Sequence, residues 1–522
     1  MDSHGLEEVS AQQDSVRSNK DESVNPEQLN ATDTEKGSYR EGLVEDFFTP
    51  PSFASKIWSN LTAAGVELRS VEPVPPEKRT DTRYLNLLTI LSTVSFSLLP
   101  VSVGSTTTLI FGLSLKEATA MIITMGLVMF APSAYIATLA PLLGMRQIIQ
   151  FRYVYGKYLN SIIAIVTLMG VGIFAILSGV NGAQVLASIR PGTISVEGCI
   201  AIIFAIAFLI SFGGYHFLHF VARWMSILSL LGLIIFVGCA GDQLHQQASS
   251  RTGDTARPYL ACVTLCAGIM FGWGGLIGDY ACYFSPKAPR PLLFVYAYCG
   301  LAIPFSLLTI LGAAIAGAIP VIPPWGQAYS TGGLGGVIGE ILKHRLGGFG
   351  DFILVILALS VIMTCARDVY SISVAIPGII PFLRRIPRVV FAIIASALLV
   401  GLAIPASKTF LTSLSALVSV VSYQTGTVVT VYLVEYLWFR KANPDRLDLR
   451  IWDEARALPS GISAFATTVI AWGPIIVAMD QVWFVGPIGK AVGDMGFILA
   501  IAVALVVYPT LRTWEIKYRG RF

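Results

Sequence analysis

Long apolar stretches alternate with short polar segments from residue 86 to residue 509. Apolar windows of about 20 residues are typical of helices that cross a lipid bilayer. The pattern therefore predicts an all-α polytopic membrane protein with twelve transmembrane helices. The predicted spans are 86–110, 117–143, 159–188, 198–216, 225–240, 259–284, 292–318, 351–378, 388–406, 409–438, 461–480 and 484–509.

The sixth span, within Leu260–Pro286, is interrupted by glycines. Gly272, Gly274 and Gly275 surround Trp273 at the middle of the apolar stretch. Backbone that a break frees at membrane depth is tolerated only where it lines a cavity or is buried in protein. Broken helices commonly form the substrate site of secondary transporters. Close packing of two helices on the glycines is the alternative explanation.

The first span carries a second interruption, with Pro100 and Gly104 among the mid-span residues Ser95, Ser97, Ser102 and Ser105. The two interrupted spans are five helices apart, which is the offset expected when five helices are repeated in inverted orientation. This offset predicts a LeuT-like 5+5 inverted repeat followed by two C-terminal helices. The expected domains are a tail at 1–50, a pre-helix segment at 51–85, repeats at 86–240 and 259–438, accessory helices at 461–509 and a tail at 510–522.

Composition agrees with a membrane protein, since 54% of the residues are hydrophobic and 13% are charged, against about 25% charged in soluble proteins. The net charge of +4 is too small to indicate a nucleic-acid partner. Residues 1–50 are polar and acidic and are expected to form a disordered cytosolic tail, followed by an amphipathic, proline-rich segment.

Lys and Arg are concentrated in the loops on the side of the two termini, so the positive-inside rule places both termini in the cytoplasm. The Gly-rich stretch 331–340 is then expected to be an extracellular loop. The seven cysteines lie almost all within apolar spans and form no paired motif, so neither a disulfide framework nor a metal site is predicted.

Four segments carry a resemblance to a known family: Gly65–Arg83, Phe111–Leu113, Phe271–Pro286 and Leu433–Arg440. From residue 60 to residue 520 the chain resembles the fungal purine-cytosine permeases of the nucleobase:cation symporter family. The resemblance implies a LeuT-like fold of twelve helices and proton-coupled uptake of a small heterocycle, across the plasma membrane. We expect no bound cofactor, because the proton gradient supplies the driving force.

The eighth span departs from the pattern of this family. The fungal permeases usually carry an Asn-Asn pair followed by Ile-Pro-Asn-Met-Tyr-Ser, whereas this chain has Thr364 and Cys365 in place of the two amides. Without those amides the polar edge of a base would be left without hydrogen-bond partners. The departure weakens the expectation of cytosine and purines as substrates more than it weakens the family resemblance.

Candidate substrate contacts come from the breaks and from the spans beside them. Trp273 can stack on a planar ring, with packing in the bundle core as the alternative. Asn181 and Gln184 lie three residues apart, on one face of span three, where amides can bind a heterocycle or another helix. The predicted substrate-binding residues are Ser102, Gly104, Asn181, Gln184, Gly272, Trp273, Gly274, Thr364 and Cys365.

Three charged residues within the spans, Asp279, Arg367 and Asp368, are candidates for coupling transport to protons. Asp279 has the alternative of an interfacial carboxylate paired with Lys287. Arg367 and Asp368 are adjacent, and neighbours i and i+1 do not face each other on a helix, so we expect no mutual neutralisation. Arg367 can then bind an anionic group and Asp368 can take part in proton coupling. Alternatively, the span ends earlier and both residues lie at the cytosolic interface.

The sequence therefore predicts a secondary active transporter that imports a small planar nitrogen heterocycle (purine, cytosine or a related compound) by proton symport. The first alternative is a transporter of the same fold for a vitamin, an allantoin-like ureide or an anionic metabolite. The second is a membrane-embedded enzyme, which is disfavoured because the chain has no HExxH, GxSxG or paired His/Asp motif. The expected partners are the small-molecule substrate and the lipid bilayer, and not nucleic acid.

Overall fold

The computed structural model describes residues 72–249, 253, 255–380, 383 and 386–519. The predicted tail at 1–50, most of the segment 51–85 and the last three residues lie outside this part. Within it the regular secondary structure is helical except for a short antiparallel hairpin formed by β1, Asp480–Gln481, and β2, Phe484–Val485, and one isolated bridge between Asp81 and Phe284.

The first half of the described chain forms six long helices: α1 Leu85–Ser95, α2 Leu98–Leu109, α3 Leu115–Ala137, α4 Leu159–Ala187, α5 Val196–Phe212 and α6 Gly214–Ala240. Short helices at Ala140–Leu143, Gln147–Gln150 and Arg152–Tyr155 connect α3 to α4, and short 3₁₀ turns lie at Pro76–Lys78 and Gly241–Gln243. Helices α1 and α2 form one span that bends by 50° at the break between them.

The second half begins with α7, Arg257–Met270, and two 3₁₀ turns, Gly272–Gly275 and Ile277–Tyr280, which together form the interrupted sixth span. The helices that follow are α8 Arg290–Ala318, α9 Pro323–Leu346, α10 Gly348–Ile379, α11 Arg388–Ser407, α12 Phe410–Val434, α13 Ile462–Ala478, α14 Pro487–Val492 and α15 Gly496–Arg519. A π turn at Glu435–Phe439 continues α12, and 3₁₀ turns lie at Pro444–Arg446 and Leu449–Ile451.

Nine helices of the described chain are long and apolar enough to cross a membrane. The bent pair α1–α2 adds a tenth span, and two shorter apolar helices, α5 and α13, occupy the two remaining predicted spans. The protein is therefore an all-α, multi-pass membrane protein.

The spans pack in two groups. In the first, α2 and α3 both pack along α8, and α3 also contacts α7. Backbones approach closely there, because a Cβ on Gly104 would lie 1.8 Å from the carbonyl oxygen of Thr309 and a Cβ on Gly312 would lie 1.9 Å from that of Val101. In the second group, α4, α5, α10 and α11 pack on one another. Both interrupted spans belong to the first group.

The break in the first span lies at Phe96 and Ser97, and not at Pro100 and Gly104 as the sequence indicated. Phe96 has ψ 60° and Ser97 has ψ 171°, so neither residue is helical. Pro100 falls in the first turn of α2, where a missing N–H removes no intrahelical hydrogen bond. Gly104 is helical and serves the close packing on α8.

Two segments, the stretch 331–340 and the start of the last span, differ from the predicted pattern. The stretch 331–340 is not a loop but part of α9, which bends at Gly333, where φ is +60°. Helical spacing of buried apolar residues outweighs its glycines here, as at Leu334, Ile338 and Ile341. The last span starts at Gly496 because the hairpin and α14 occupy the preceding residues.

Candidate functional site

A cavity lies where the two interrupted spans face each other. Its lining is mostly apolar, with a few polar groups contributed by Ser95, Ser97, Trp273, Thr364 and Arg367. A mostly apolar cavity with a few polar groups is typical of small-molecule sites. The geometry therefore marks this cavity as the candidate site.

A neighbouring helix, α3, donates hydrogen bonds to the break in the sixth span. After α7 ends, the carbonyl oxygens of Met270 and Phe271 accept hydrogen bonds from Ser133 Oγ of α3, at 3.4 and 3.3 Å. Side-chain hydroxyls of neighbouring helices are one way to satisfy carbonyls that a broken membrane helix leaves free. The break is thus part of the packed structure.

The glycines of this break have different surroundings. A Cβ on Gly272 would come no closer than 4.0 Å to its nearest neighbour, Thr425 Oγ1, and Gly272 lines the cavity. A Cβ on Gly274 would lie 2.9 Å from Val429 Cγ2 of α12. Gly272 therefore borders the site, whereas Gly274 allows the chain to pack against α12.

Trp273 and Arg367 form one wall of the cavity. The guanidinium carbon of Arg367 lies 5.0 Å from the centroid of the Trp273 ring, within the range of a cation–π contact. The expectation that Arg367 and Asp368 do not pair is wrong, since Arg367 Nε and Nη2 donate to Asp368 Oδ1 at 2.8 and 2.5 Å. The arginine side chain is long enough to fold back onto its neighbour, which the spacing of helix positions alone does not reveal.

The pair lies inside the span and not beyond its end. Helix α10 continues to Ile379, and Arg367 and Asp368 are only 7% and 0% exposed. The expectation that the helix ends before this pair is therefore wrong, and both side chains are enclosed by protein.

Four polar atoms, three on residues that line the cavity and one on Asp368, are buried without a hydrogen-bond partner in the described chain. They are Ser95 Oγ, Thr364 Oγ1, Arg367 Nη1 and Asp368 Oδ2. Buried polar groups are normally hydrogen-bonded to protein or water. Three of the four belong to residues that line the cavity, so the site offers hydrogen bonds that its own residues leave unused.

Residues 73–486 match the family described as permeases for cytosine/purines, uracil, thiamine and allantoin. The chain belongs to this family. It is 27% identical to the purine-cytosine permease FCY21 of Saccharomyces cerevisiae, over 90% of each chain. It is 23% identical to the vitamin B6 transporter TPN1 of the same organism, over 94% of this chain and 93% of the relative. The permease is therefore a membrane transporter and not a membrane-embedded enzyme.

A solved structure supports the predicted architecture. MHP1, described as a nucleobase-cation-symport-1 family transporter in a closed conformation with bromovinylhydantoin bound, has a TM-score of 0.66 and 14% identity. The match covers 87% of the permease and 97% of MHP1, and at this identity it concerns the fold. It confirms the LeuT-like fold that the offset of the two interrupted spans predicted.

Several predicted contact residues of the permease hold helices together beside the cavity. Asn181 Nδ2 of α4 donates to the carbonyl oxygen of Leu98, at 2.7 Å, directly after the break in the first span. The hydroxyl of Ser102 lies 3.5 Å from the same oxygen. Cys365 Sγ lies 3.6 Å from the carbonyl oxygen of Ala175. Asn181 therefore ties α4 to the break in the first span and Cys365 ties α10 to α4, whereas the Ser102 contact lies within α2.

Two further predicted residues have different positions. Gln184 packs against α9, where a Cβ on Gly335 would lie 2.6 Å from Gln184 Cβ. Asp279 Oδ1 accepts a hydrogen bond of 2.7 Å from the backbone N–H of Gln147, which joins the sixth span to the short helix Gln147–Gln150. Among the described residues, no group of three or more His, Cys, Asp or Glu side chains could hold a metal ion.

Some lining residues of the permease were missing from the predicted set. Phe174 and Phe305 line the cavity from α4 and α8, and nothing in the apolar pattern of those spans distinguishes them from core residues. Ser95 and Ser97 had a usable signal, because they are polar residues beside the predicted interruption of the first span.

Proposed function

We propose that this permease imports a small planar nitrogen heterocycle by proton symport. The observation that carries the proposal is the cavity between the two broken spans, with Trp273 and Arg367 on one wall. A base stacked on an aromatic side chain gains about 1–3 kcal/mol in nucleic-acid complexes. Relatives over most of the chain are named purine-cytosine permeases, which supports a ligand with a planar ring.

Substrate would bind between Trp273, Gly272 and the polar side chains of Thr364 and Arg367. Ser102, Gly104, Asn181, Gln184, Gly274 and Cys365 would then shape the cavity by holding the surrounding helices in place. Rocking of the first group of helices against the second would expose the site alternately to the two sides of the membrane. We place this cycle in the plasma membrane, with both termini in the cytoplasm.

Coupling to protons would act through Asp368, with Asp279 as the second candidate. Protonation would remove the charge that holds Nε and Nη2 of Arg367. The guanidinium that borders the cavity would then be free to reorient. Because Asp368, which would take up the proton, is bonded directly to Arg367, which substrate can contact, no separate pathway between the proton site and the substrate site is needed.

A different solute, such as a vitamin, is the second candidate. Thr364 and Cys365 replace the amides that the fungal purine-cytosine permeases usually carry, and Arg367 lines the cavity. A relative of similar coverage is named a vitamin B6 transporter. These observations favour a ring other than cytosine or adenine.

The test is uptake by a cell that lacks nucleobase permeases and expresses the full chain. Radiolabelled hypoxanthine, uracil, cytosine and pyridoxine would be supplied separately. We expect accumulation of at least one ring that collapses with a protonophore and is unchanged when sodium is replaced. Loss of uptake on sodium replacement alone would refute proton coupling, and no uptake of any ring would refute the transport proposal.

A further inference from the structure

The described side chains that line the cavity include two that can only donate hydrogen bonds, those of Arg367 and Trp273, and none that can only accept them. Arg367 is the charged residue among the described lining residues, and a guanidinium has five N–H donors and no acceptor. The other polar side chains of the lining are the hydroxyls of Ser95, Ser97 and Thr364 and the indole N–H of Trp273. No carboxylate or side-chain amide belongs to this described lining. A ligand therefore meets donors and hydroxyls.

The guanidinium is fixed in place before any ligand arrives. Asp368 Oδ1 holds Nε and Nη2, and the Trp273 ring lies beneath the guanidinium. These contacts leave Nη1 buried without a partner in the described chain. Arg367 is 7% exposed, so bulk water does not hydrate it freely. An unsatisfied donor on a residue that lines the cavity points to an acceptor atom that the ligand can supply.

The charges of Arg367 and Asp368 indicate whether the acceptor on the ligand is neutral or anionic. Arg367 and Asp368 form a pair with no net charge, whereas an anionic ligand would add an uncompensated negative charge to a buried site, which is costly. A neutral carbonyl oxygen can accept from Nη1 without that cost. A ring that carries an exocyclic amine at the same position would bring a donor against a donor.

We infer that the site is selective for neutral oxo-substituted heterocycles, whose ring carbonyl accepts from Arg367 Nη1, over the corresponding amino-substituted rings. Arg367 is then the specificity-determining residue, and Asp368 is a positioning residue that orients it. The inference rests on the proposed function, because it names the substrate class of the same cavity. It also explains why this chain can lack the amide pair at positions 364 and 365.

Matched ring pairs test this inference. Calorimetry on the purified full chain would measure binding of hypoxanthine against adenine and of pyrimidin-4-one against 4-aminopyrimidine, since neither amino ring keeps a carbonyl. Orotate against uracil is the pair that adds a carboxylate. We expect each oxo ring to bind at least 10-fold more tightly than its amino counterpart, and orotate to bind more weakly than uracil. Equal binding within a pair, or tighter binding of orotate, would overturn the inference while leaving heterocycle transport intact. Binding of none of the rings would overturn both.

The role of Arg367 is tested with the double variant Arg367→Gln/Asp368→Asn, which removes both charges together. A glutamine amide both donates and accepts, so we expect the oxo preference to fall below about threefold while one ring of each pair still binds. An unchanged preference would overturn the assignment to Arg367. If the double variant does not fold, Arg367→Lys serves instead. We expect this variant to bind the oxo rings more weakly and still to prefer them over the amino rings, but by a smaller factor.

The positioning role of Asp368 has its own readout. Asp368→Glu keeps a carboxylate that can reach the guanidinium, whereas Asp368→Asn weakens that hold. We expect Asp368→Glu to retain more of the oxo preference than Asp368→Asn does, at similar thermal stability. Equal preference ratios in the two variants would contradict positioning by the carboxylate.

Discussion

Glu435 and Asp368 are both buried carboxylates paired with arginine, but their oxygens are satisfied to different degrees. Glu435 Oε2 accepts from Tyr508 at 2.8 Å and from Arg512 Nε at 3.0 Å. Its Oε1 accepts from Arg512 Nη2 at 3.0 Å and lies 3.2 Å from Arg440 Nε. Asp368 has partners at Oδ1 alone, and its Oδ2 is unpartnered in the described chain.

The difference follows from what each cluster joins. The Glu435 cluster lies between the π turn after α12 and the last helix α15, and both oxygens of its carboxylate are hydrogen-bonded within the protein. The Arg367–Asp368 pair borders a cavity between two groups of helices. A completed ion network stabilises helix packing, whereas an incomplete network beside a cavity is what a bound substrate can complete.

Breaking the completed network should have the largest effect on folding. Glu435→Leu would leave Arg440 buried without its carboxylate and Arg512 paired with Glu515 alone, and breaking a buried pair in this way costs about 3–5 kcal/mol. We expect a large fall in the thermal midpoint of the purified protein and in its expression. Arg519→Gln is the matched control, because Arg519 is 28% exposed and 3.7 Å from Glu515 in the same region, and we expect a change below about 1 kcal/mol. An unchanged midpoint in Glu435→Leu would contradict a structural role.

Removing the aromatic wall should weaken binding more than folding. Trp273→Ala removes the surface on which a ring can stack, so we expect about 5- to 150-fold weaker binding of the tightest ring, from about 1–3 kcal/mol. Calorimetry measures this change, and the affinity of Trp273→Phe should lie between those of the wild type and Trp273→Ala. Trp483, on the hairpin and 62% exposed, supplies the control Trp483→Ala, which should bind normally. Equal losses in Trp273→Ala and Trp483→Ala would contradict stacking at the cavity.

A third buried carboxylate, Asp494, has only neutral partners. Its Oδ2 accepts from Tyr423 and Gln481, both at 2.6 Å, and its Oδ1 accepts from the Gly496 N–H at 3.0 Å. Asp494 precedes α15 and lies outside the spanning helices, and burial raises the pKa of its carboxyl from 3.8 to about 6.

Because the folded pKa is the higher one, the folded state keeps a proton that the unfolded state has released between about pH 4 and pH 6. This contribution to stability is present below that window and is lost as the pH rises through it. We expect Asp494→Asn to become more stable relative to the wild type as the pH rises from 4 to 7, in parallel thermal scans. A constant difference between the two proteins would contradict the raised pKa.

The smallest effect is expected at Asn181, which bonds to the carbonyl of Leu98 beside the break. Asn181→Ala should cost about 0.5–1.5 kcal/mol of stability and change binding less than threefold. Asn160→Ala is the matched control, since Asn160 Nδ2 makes the same type of bond to the carbonyl of Ile148, at 3.0 Å and away from the cavity. If Asn181→Ala loses substrate binding while it is as stable as Asn160→Ala, the result would instead support the direct substrate contact that the sequence predicted.

The main features of the fold could be predicted because they depend on composition and spacing. Apolar windows and the five-span offset between the two interruptions lead to the twelve-helix, LeuT-like architecture. The site of the first break could not be predicted, since Pro100 is harmless in the first turn of a helix and the bend is made by Phe96 and Ser97. Likewise, the buried periodicity of α9 outweighs its glycines.

The candidate site was predictable where local sequence determines the cavity, as at Gly272 and Trp273. The site was not predictable where a contact depends on the direction in which a side chain points. Whether Asn181 faces substrate or the Leu98 carbonyl, and whether Arg367 turns back to Asp368, depends on packing between helices that are far apart in sequence. Trp273 and Arg367 meet across nearly a hundred residues, and that contact is visible only in the fold.

The most direct test of the central claim is the thermal stabilisation that hypoxanthine gives to the wild type and to Arg367→Gln/Asp368→Asn. Ligand at 100 times its Kd stabilises a folded protein by about 2.7 kcal/mol, so we expect a clear rise in the wild-type midpoint. The double variant should unfold near the wild-type temperature without ligand, because neutral replacement of a buried ion pair is often tolerated, and should show less than a third of that rise. A full rise in the double variant would contradict the claim that this unfinished charge pair binds the substrate.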